Sequence, residues 1–401
     1  DLARKHANFY IIDAAKLAQQ IGLGKRTNNI LQGAFFALTK VIPLDMAVED
    51  MKKNNYNSYF KKAGQKIVDL NDKAVDLGIS AAVKVEIPAS WADAPDTPMA
   101  EPKNASAFVR DIVLPMDRQQ GDKLPVSVFQ KHGVLDGTWE NGTSAFSKRG
   151  VATKVPKWNA ESCIQCNRCA MCCPHAAIRP FLFTKEEAEQ APAGCITHKA
   201  NGRGMENYTF RIQVDPLDCQ GCGSCADVCP AREKALVMKP LESQMPEQDN
   251  WNHCLSLSEK DNPLDKFTVR GSQFQRPLME FSGACAGCGE TPYMKLMTQL
   301  FGERMYIANA TGCAQAMFLS VPSIPMVKDS AGHGPALSNS LFENNAEYSL
   351  GMCLSVDQQR NQVKTHAKAA LDTTSDAALK AALESWLQDG DDGDKTRAVS
   401  D

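Results

Sequence analysis

Two short runs of cysteine carry the clearest chemistry in this chain. They lie at Cys163–Cys173 and Cys219–Cys229 and together hold nine of the 15 cysteines. Thiolates in such number and at such close spacing are ligands for soft metals and iron–sulfur clusters. A looser third group follows, in which two residues separate Cys285 from Cys288 and Cys313 lies further along. The cysteines therefore predict metal-bound thiolates rather than a disulfide framework.

Both runs share the spacing Cys-x2-Cys-x2-Cys-x3-Cys-Pro, and the second repeats the first after 56 residues. Bacterial ferredoxins with two clusters have this spacing, and in them the fourth cysteine of each run binds the other cluster. A zinc ribbon needs two separated Cys-x2-Cys pairs and does not explain the repeat. We therefore predict two [4Fe–4S] clusters. Cluster I is held by Cys163, Cys166, Cys169 and Cys229, and cluster II by Cys219, Cys222, Cys225 and Cys173.

Four other cysteines, Cys172, Cys195, Cys254 and Cys353, are predicted to be small packed thiols. The chain opens with Asp1-Leu2-Ala3-Arg4-Lys5-His6 and lacks the apolar region of a secretory signal. We therefore expect a reducing compartment, the cytoplasm.

The overall composition argues against two classes of protein. The 401 residues carry 44 basic and 47 acidic side chains, with no block of Lys and Arg, so nucleic acid is not an expected partner. The longest uncharged stretch, 305–327, is long enough to cross a bilayer. Its prolines and polar residues predict a buried, irregular segment instead. At about 150 residues a domain, the length predicts two to four domains.

Hydrophobic periodicity and chain breakers outline the domains. Apolar residues recur at helical steps from Tyr59 to Leu77 and predict one amphipathic helix that ends at Gly78. Prolines between 86 and 104 predict a domain boundary. The stretch 106–157, with apolar runs broken by glycines, is predicted to be a small β-rich module.

Three further segments complete this outline. Gly22–Thr27 lacks the first glycine of a phosphate-binding loop, because position 19 is Gln19, so we interpret it as a turn between helices. A polar break at 240–264 is predicted to separate the cysteine-rich module from the last part. Leu379–Leu387 predicts an amphipathic helix that ends at Asp389-Gly390.

Several motifs together resemble the pyruvate:ferredoxin (flavodoxin) oxidoreductase family. They are Met116–Ser127, the double cysteine motif, Phe281–Tyr293 and the stretch from Gly334 to Glu347. The resemblance covers essentially the whole chain, which corresponds to the middle of a longer enzyme, and implies an α/β and α+β multidomain fold. It implies a partial Rossmann-like γ domain at 1–100, a small β-rich EKR module at 101–157, a 2[4Fe–4S] ferredoxin-like domain at 158–245 and the N-terminal part of a thiamine-diphosphate-binding α/β domain at 246–401. Ser147-Lys148-Arg149 stands where the EKR module has its Glu-Lys-Arg name motif.

The resemblance also gives roles to the third cysteine group. It implies that Cys285, Cys288 and Cys313 bind a third [4Fe–4S] cluster beside thiamine diphosphate. It further implies that Glu290, Cys313 and Phe342 line the thiamine site.

Two features of the family are missing from this sequence. The third cluster lacks a fourth ligand, a role that we do not expect of Cys353. The Gly-Asp-Gly motif that holds Mg²⁺ and the pyrophosphate is also missing, and Asp389–Asp394 predicts an exposed acidic turn instead. We therefore expect the third cluster and the thiamine site to be incomplete here.

The activity implied by the resemblance is oxidative decarboxylation of pyruvate with coenzyme A to acetyl-CoA and CO₂. Electrons would pass singly through the clusters to ferredoxin or flavodoxin, and the complete enzyme would be a cytoplasmic homodimer. No side chain here is expected to act as a catalytic acid or base. Two alternatives stay open: an independent polyferredoxin-like electron carrier, and an oxidoreductase for another 2-oxoacid.

Overall fold

The computed structural model describes residues 2–24, 26–95, 102, 104–318, 321–340, 342–390 and 392–400. These residues fall into two compact units, Asp1–Ala100 and Glu101–Asp401. Within the described ranges, no helix combines the length and the apolar character needed to cross a bilayer.

The first unit is a set of helices with a two-stranded antiparallel ribbon, in which Tyr10 is paired with Lys84. Ala18, Ile30 and Ala74 are completely buried between the helices. The parallel sheet of a Rossmann-like fold is not among the described residues of this unit. The elements are β1 (Phe9–Ile11), α1 (Ala14–Gln20), α2 (Asn28–Thr39), α3 (Leu44–Ala63), α4 (Gln65–Ala81) and β2 (Val83–Val85).

The single helix predicted to run from Tyr59 to Gly78 is two helices. Gly64, with φ of +76°, separates α3 from α4, because this left-handed conformation favours glycine. Helix α4 then continues through Gly78 to Ala81. An ideal Cβ on Gly78 would lie 2.0 Å from the carbonyl oxygen of Ile30 in α2. Glycine at this position allows close helix packing and does not end the helix.

The segment between α1 and α2 is a turn, as predicted. Gly22 and Gly24 have φ of +85° and +62°, and both are followed by the start of α2 at Asn28. Lys25 lies outside the described residues.

The predicted β-rich module at 106–157 is wrong, because most of it consists of helical turns. A π-helical turn over Val109–Val113 leads into α5 (Leu114–Asp117), and α6 (Val126–Lys131) follows. Phe108 and Ile112, four residues apart, are buried in one apolar cluster. A short apolar run is compatible with a buried strand or a buried helix, and the helical spacing of these two residues decides between them.

The cysteine-rich part is built from strands that pair across the internal repeat. Strand β3 (Lys154–Trp158), before the first cysteine run, pairs with β7 (Leu236–Pro240), after the second. Strand β4 (Ile178–Phe183), after the first run, pairs with β6 (Thr209–Val214), before the second. Each repeat thus pairs with the other, and both cysteine loops meet at one core. The remaining elements here are α7 (Arg168–Met171), α8 (Lys185–Glu189), β5 (His198–Lys199) and α9 (Ser224–Asp227).

The predicted break at 240–264 contains a helix that belongs to the cysteine-rich fold. Helix α10 (Glu247–Leu255) packs on β6, where the Arg211 guanidinium donates to the Glu247 carboxylate at 2.5 Å. Trp251 and Cys254, which belong to this helix, are buried. The composition of this segment is polar because only these few side chains face the core.

The last part contains a parallel strand pair, in which Tyr306 lies opposite Ala336, and several helices. The helix predicted near the end is confirmed as α15, with Asp389 as its C-cap. Cys353 is exposed on α14, so its predicted packing is wrong. The elements are α11 (Val269–Ser272), α12 (Thr291–Phe301), β8 (Tyr306–Ala310), α13 (Cys313–Phe318), β9 (Ala336–Ser340), α14 (Asn345–Thr373), α15 (Ala377–Gln388) and α16 (Gly393–Ser400).

The packing of α2 on α4 gives a stability prediction. Gly78→Ala places a methyl group against the Ile30 carbonyl and should destabilise the first unit by about 1 to 3 kcal/mol. Gly351→Ala is the matched helical control, because nothing lies within 4 Å of its added Cβ and alanine favours a helix by about 1 kcal/mol. Urea unfolding followed by circular dichroism measures both. Equal stabilities of the two variants would contradict the packing argument.

Candidate iron–sulfur sites

Both cysteine loops use left-handed residues on either side of their second cysteine. In the second loop these are Gly221 and Gly223, with φ of +68° and +83°. In the first loop the equivalent positions are Gln165 and Asn167, with φ of +57° and +58°. Such a path wraps the chain tightly, so that three cysteines of one loop face one small volume.

In the first loop the two strained residues are held by their side chains. The Gln165 amide donates to the Lys199 carbonyl at 2.8 Å and accepts from the Asn201 backbone N–H at 2.8 Å. The Asn167 amide donates to the Arg270 carbonyl at 3.0 Å. These hydrogen bonds offset a conformational cost of about 1 kcal/mol per residue, and they fix the loop against the 199–201 and 270 segments.

The residues predicted for cluster I lie close together. Burial raises the pKa of the Cys163 thiol, and the neighbouring thiolates of Cys166 and Cys229 raise it further. Burial also raises the pKa of Cys169, and Cys163 and Cys166 again add to the effect. Cys229 thus reaches across from the second loop to the thiols of the first. Desolvated thiolates that repel one another are stabilised when a bound cation compensates their charge.

The residues predicted for cluster II surround a cavity. Its lining includes Cys173, Cys219, Cys222 and Cys225, and its volume is about 400 Å³ when the space at its mouth is counted. The other walls are largely apolar, with Ile178, Val214 and Met238 among them. Burial raises the pKa of Cys219 to about 12, and the nearby thiolates of Cys173 and Cys222 contribute to the shift. Four thiols around an apolar cavity fit a [4Fe–4S] cluster.

The thiols are spaced more widely than the ligands of a single ion. Among the residues that the structure describes, no three His, Cys, Asp or Glu side chains could hold one metal ion together. In a cubane each thiolate binds a different iron, so its four thiolates stand farther apart than those around one zinc ion.

A buried lysine that the sequence analysis did not single out lies beside both thiol groups. The Lys295 ammonium donates to the carbonyl oxygens of Ala170 and Met171. Burial lowers its pKa to about 8, and the thiolates of Cys173 and Cys172 oppose that shift. In the sequence, the helical spacing of Lys295 from Thr291 and Thr298 could have indicated that all three share one face of α12. The structure shows that this face is buried.

The third cysteine group lies next to cluster II. An ideal Cβ on Gly287, between Cys285 and Cys288, would be 3.4 Å from the Cys222 Cβ. Just before this loop, the His175 imidazole donates to the Ala284 carbonyl at 2.9 Å. Burial lowers the pKa of His175, which favours the neutral ring. Because His175 follows Cys173-Pro174, this contact ties the third group to a cluster II residue.

The third group itself is open to solvent. Cys285 and Cys313 are exposed, and Cys288 is half-buried. The structure brings Cys288 and helix α13 together, since Thr291 donates to the Met317 sulfur at 3.3 Å. Burial raises the pKa of Cys288, but hydrogen bonds from Thr291 and the Glu290 backbone outweigh it and lower the pKa.

The residues predicted to contact thiamine diphosphate do not enclose a site. Phe342 is 87% exposed, and Glu290 and Cys313 are exposed as well. Because the Gly-Asp-Gly motif is also missing, the described residues do not complete a thiamine site.

The second cysteine loop gives a test of loop geometry. Gly221→Ala puts a Cβ 2.8 Å from the Lys154 carbonyl oxygen, whereas Gly223→Ala meets nothing within 4 Å. Both variants carry a left-handed strain of about 1 kcal/mol, but only the first also clashes with strand β3. Gly221→Ala should therefore release iron at a lower temperature than Gly223→Ala, as measured by loss of visible absorbance on heating. Equal release temperatures would show that the loop does not depend on this contact.

Three family models match successive parts of the chain. The model described as pyruvate ferredoxin/flavodoxin oxidoreductase matches residues 1–81. EKR, described as a domain of unknown function, matches residues 94–152. A 4Fe-4S dicluster domain matches residues 162–232, so the chain contains an iron–sulfur domain of the ferredoxin type.

Curated relatives align with nearly every residue of the chain. It is 53% identical over 400 residues to "Pyruvate-flavodoxin oxidoreductase" of Enterobacter agglomerans, which covers 99% of this chain and 34% of that protein. It is 48% identical over 401 residues to "Pyruvate:ferredoxin oxidoreductase" of Moorella thermoacetica, covering 100% of this chain and 34% of the relative. The chain thus spans about a third of the length of these relatives. Models and relatives agree, and together they identify the chain as a segment of the pyruvate:ferredoxin (flavodoxin) oxidoreductase family.

Proposed function

We propose that this chain is the electron-conducting segment of a pyruvate:ferredoxin (flavodoxin) oxidoreductase and holds two [4Fe–4S] clusters. The observation that carries this proposal is the cavity lined by Cys173, Cys219, Cys222 and Cys225. Three of these thiols come from one loop and the fourth from the other, which is the exchange that a two-cluster ferredoxin requires. The approach of Cys229 to Cys163 is the matching exchange at cluster I.

A bound [4Fe–4S] cluster supplies one-electron transfer, and the protein sets its surroundings. The chain keeps the two sets of thiols close to each other, because Cys169 of one set and Cys225 of the other share one buried apolar cluster. The third cysteine group contacts the cluster II loop at Gly287. These contacts support the order third group, cluster II, cluster I for electron flow.

The surface beside cluster I has the features of an exit for electrons. Ile164 and Val228, next to cluster I cysteines in sequence, are 57% and 40% exposed. Exposed cations lie near them: Arg168 is between Cys166 and Cys169, and Lys234 donates to the Cys229 carbonyl at 2.7 Å. Exposed carboxylates also lie near these cysteines in sequence, at Glu161, Asp227 and Glu233. The apolar centre and the exposed cations at its edge offer contacts to a small acidic electron carrier. The names of the relatives support flavodoxin or ferredoxin as that carrier.

The complete activity is proposed from the family. It is oxidative decarboxylation of pyruvate with coenzyme A to acetyl-CoA and CO₂, in a cytoplasmic homodimer. Within this activity the described residues bind and space the clusters, exclude water from the thiols and present cluster I to the acceptor.

One observation favours a second candidate, an independent polyferredoxin-like carrier. Two sets of four thiols are brought together, whereas Cys285 and Cys313 of the third group are exposed. About eight irons per chain in the protein of natural length would fit the carrier, and about twelve would require a third cluster. Pyruvate- and CoA-dependent reduction of a dye separates the oxidoreductase from the carrier, and other 2-oxoacids tested in the same assay define the substrate.

Cluster II ligation predicts how iron content responds to mutation. Cys225→Ser should lower the iron content by about four atoms per chain, because Cys225 lines the cavity. Cys172→Ser is the matched control, because the Cys172 thiol, next to Cys173 in sequence, donates to the Cys169 carbonyl. This variant should keep the full iron content. Iron analysis and low-temperature EPR of anaerobically purified protein measure both. Full iron in Cys225→Ser, or equal loss in both variants, would refute the assignment.

The exposed cation Arg168 predicts how the acceptor reaction depends on salt. Arg168→Glu should slow reduction of an acidic flavodoxin several-fold at low ionic strength, because it reverses a charge on the encounter surface. The deficit should shrink as salt screens the charges. Lys368→Glu on α14, also exposed, is the control with the same charge change. Iron content should stay unchanged in both, and equal slowing by both would place the acceptor elsewhere.

A further inference from the structure

A buried charge cluster lies between the EKR module and the cluster II loop. The Lys148 ammonium lies 2.5 Å from an Asp215 carboxylate oxygen and 2.6 Å from one of Asp218. The two aspartate side chains are 0% and 4% exposed. Burial opposes the lysine charge, but the two carboxylates outweigh it and raise the pKa of Lys148. Burial and the neighbouring Asp215 carboxylate raise the pKa of Asp218 to about 8, although Lys148 opposes that shift. One half-buried cation therefore serves two buried carboxyl groups.

The two aspartates belong to the turn that leads into Cys219. The Asp215 carboxylate accepts from the backbone N–H groups of Leu217 and Asp218, at 3.1 and 3.2 Å. The Cys219 N–H donates to the Asp215 carbonyl at 3.0 Å. Charge at this turn therefore lies one residue from a cluster II thiol.

Lys148 is held in place at a conformational cost. Its φ is +37°, a region that non-glycine residues rarely adopt and that points to a functional constraint. Its ammonium lies 5.2 Å from the centre of the Phe281 ring. Two residues later, the Gly150 N–H donates to the Leu217 carbonyl at 2.8 Å. The EKR module therefore contacts this turn through the Lys148 side chain and through the Gly150 backbone.

The same module also contacts the segments before and after the third cysteine group. The Ser144 hydroxyl donates to the Glu280 carbonyl at 2.9 Å, and the Thr143 hydroxyl donates to the Pro322 carbonyl at 2.7 Å. Residues close to Lys148 in sequence thus contact both the turn before Cys219 and the segments that flank the third cysteine group.

We propose that the EKR module, through Lys148, positions the Asp215–Cys219 turn and sets the electrostatic field at cluster II. This role rests on the proposed function, because it requires a cluster at Cys173, Cys219, Cys222 and Cys225. Lys148 touches no reacting atom and is a positioning residue. Its charge balances the carboxylate charge at this turn, and a less negative surrounding favours the reduced cluster. Without Lys148, cluster II should be harder to reduce, while cluster I should not change.

The test is an EPR-monitored redox titration of the protein at its natural length, purified without oxygen. The clusters are assigned by the signal that Cys225→Ser removes. Lys148→Met should lower the midpoint potential of cluster II only, with iron content unchanged. Asp215→Asn alone should raise that potential, and the double variant Lys148→Met/Asp215→Asn should return towards wild type.

Several outcomes would overturn the inference. One is an unchanged cluster II potential in Lys148→Met with full iron, and another is an equal shift at both clusters. Loss of cluster II iron without rescue by Asp215→Asn would indicate a purely structural contact, and would also refute the proposal. If Lys148→Met fails to fold, Asp215→Asn decides alone, and an unchanged potential counts against the proposal. A wild-type protein without two [4Fe–4S] signals would instead refute the proposed function.

Discussion

Crowding of thiols from two loops into one apolar core is the constraint on which the rest of this structure depends. Burial raises the pKa of Cys163 and of Cys219, and neighbouring thiolates raise it further. The arrangement is favourable only when cations compensate the thiolates. Pairing of β3 with β7 and of β4 with β6 forces the two loops together, so neither repeat can form its site alone.

Segments outside the repeat supply cations around this core. Lys295 comes from α12, and Lys148 from the module before the first run. Arg270 packs against the first loop. Burial lowers its pKa, and the nearby Cys166 thiolate opposes that shift. Arg179 pairs with Glu280, which lies shortly before the third cysteine group. Buried charges of this kind are stable only with partners, so the thiol core and its neighbouring segments hold one another in register.

Local sequence patterns predicted some elements correctly and others incorrectly, because the same pattern can belong to different structures. Gly64 ends a helix, whereas Gly78 lies inside one because α2 packs against its backbone. The apolar run near Ile112 was compatible with a strand or a helix, and packing around Phe108 made it helical. The break at 240–264 was polar in composition, yet its few apolar side chains, Trp251 and Cys254, are buried on the ferredoxin-type sheet. At Gly78, at Ile112 and in this break, a distant segment decided the local structure.

The sequence by itself determined the type of chemistry and the grouping of the thiols, because a repeated cysteine spacing restricts which thiols can reach a common cluster. It also indicated the family, since its motifs extend along the whole chain. Only the tertiary structure decided what surrounds the thiols. Lys148 and Asp215 are 67 residues apart in sequence, and Lys295 and Met171 are 124 apart. No periodicity links such residues, because their contacts arise from how separate elements pack and not from the spacing along any one of them.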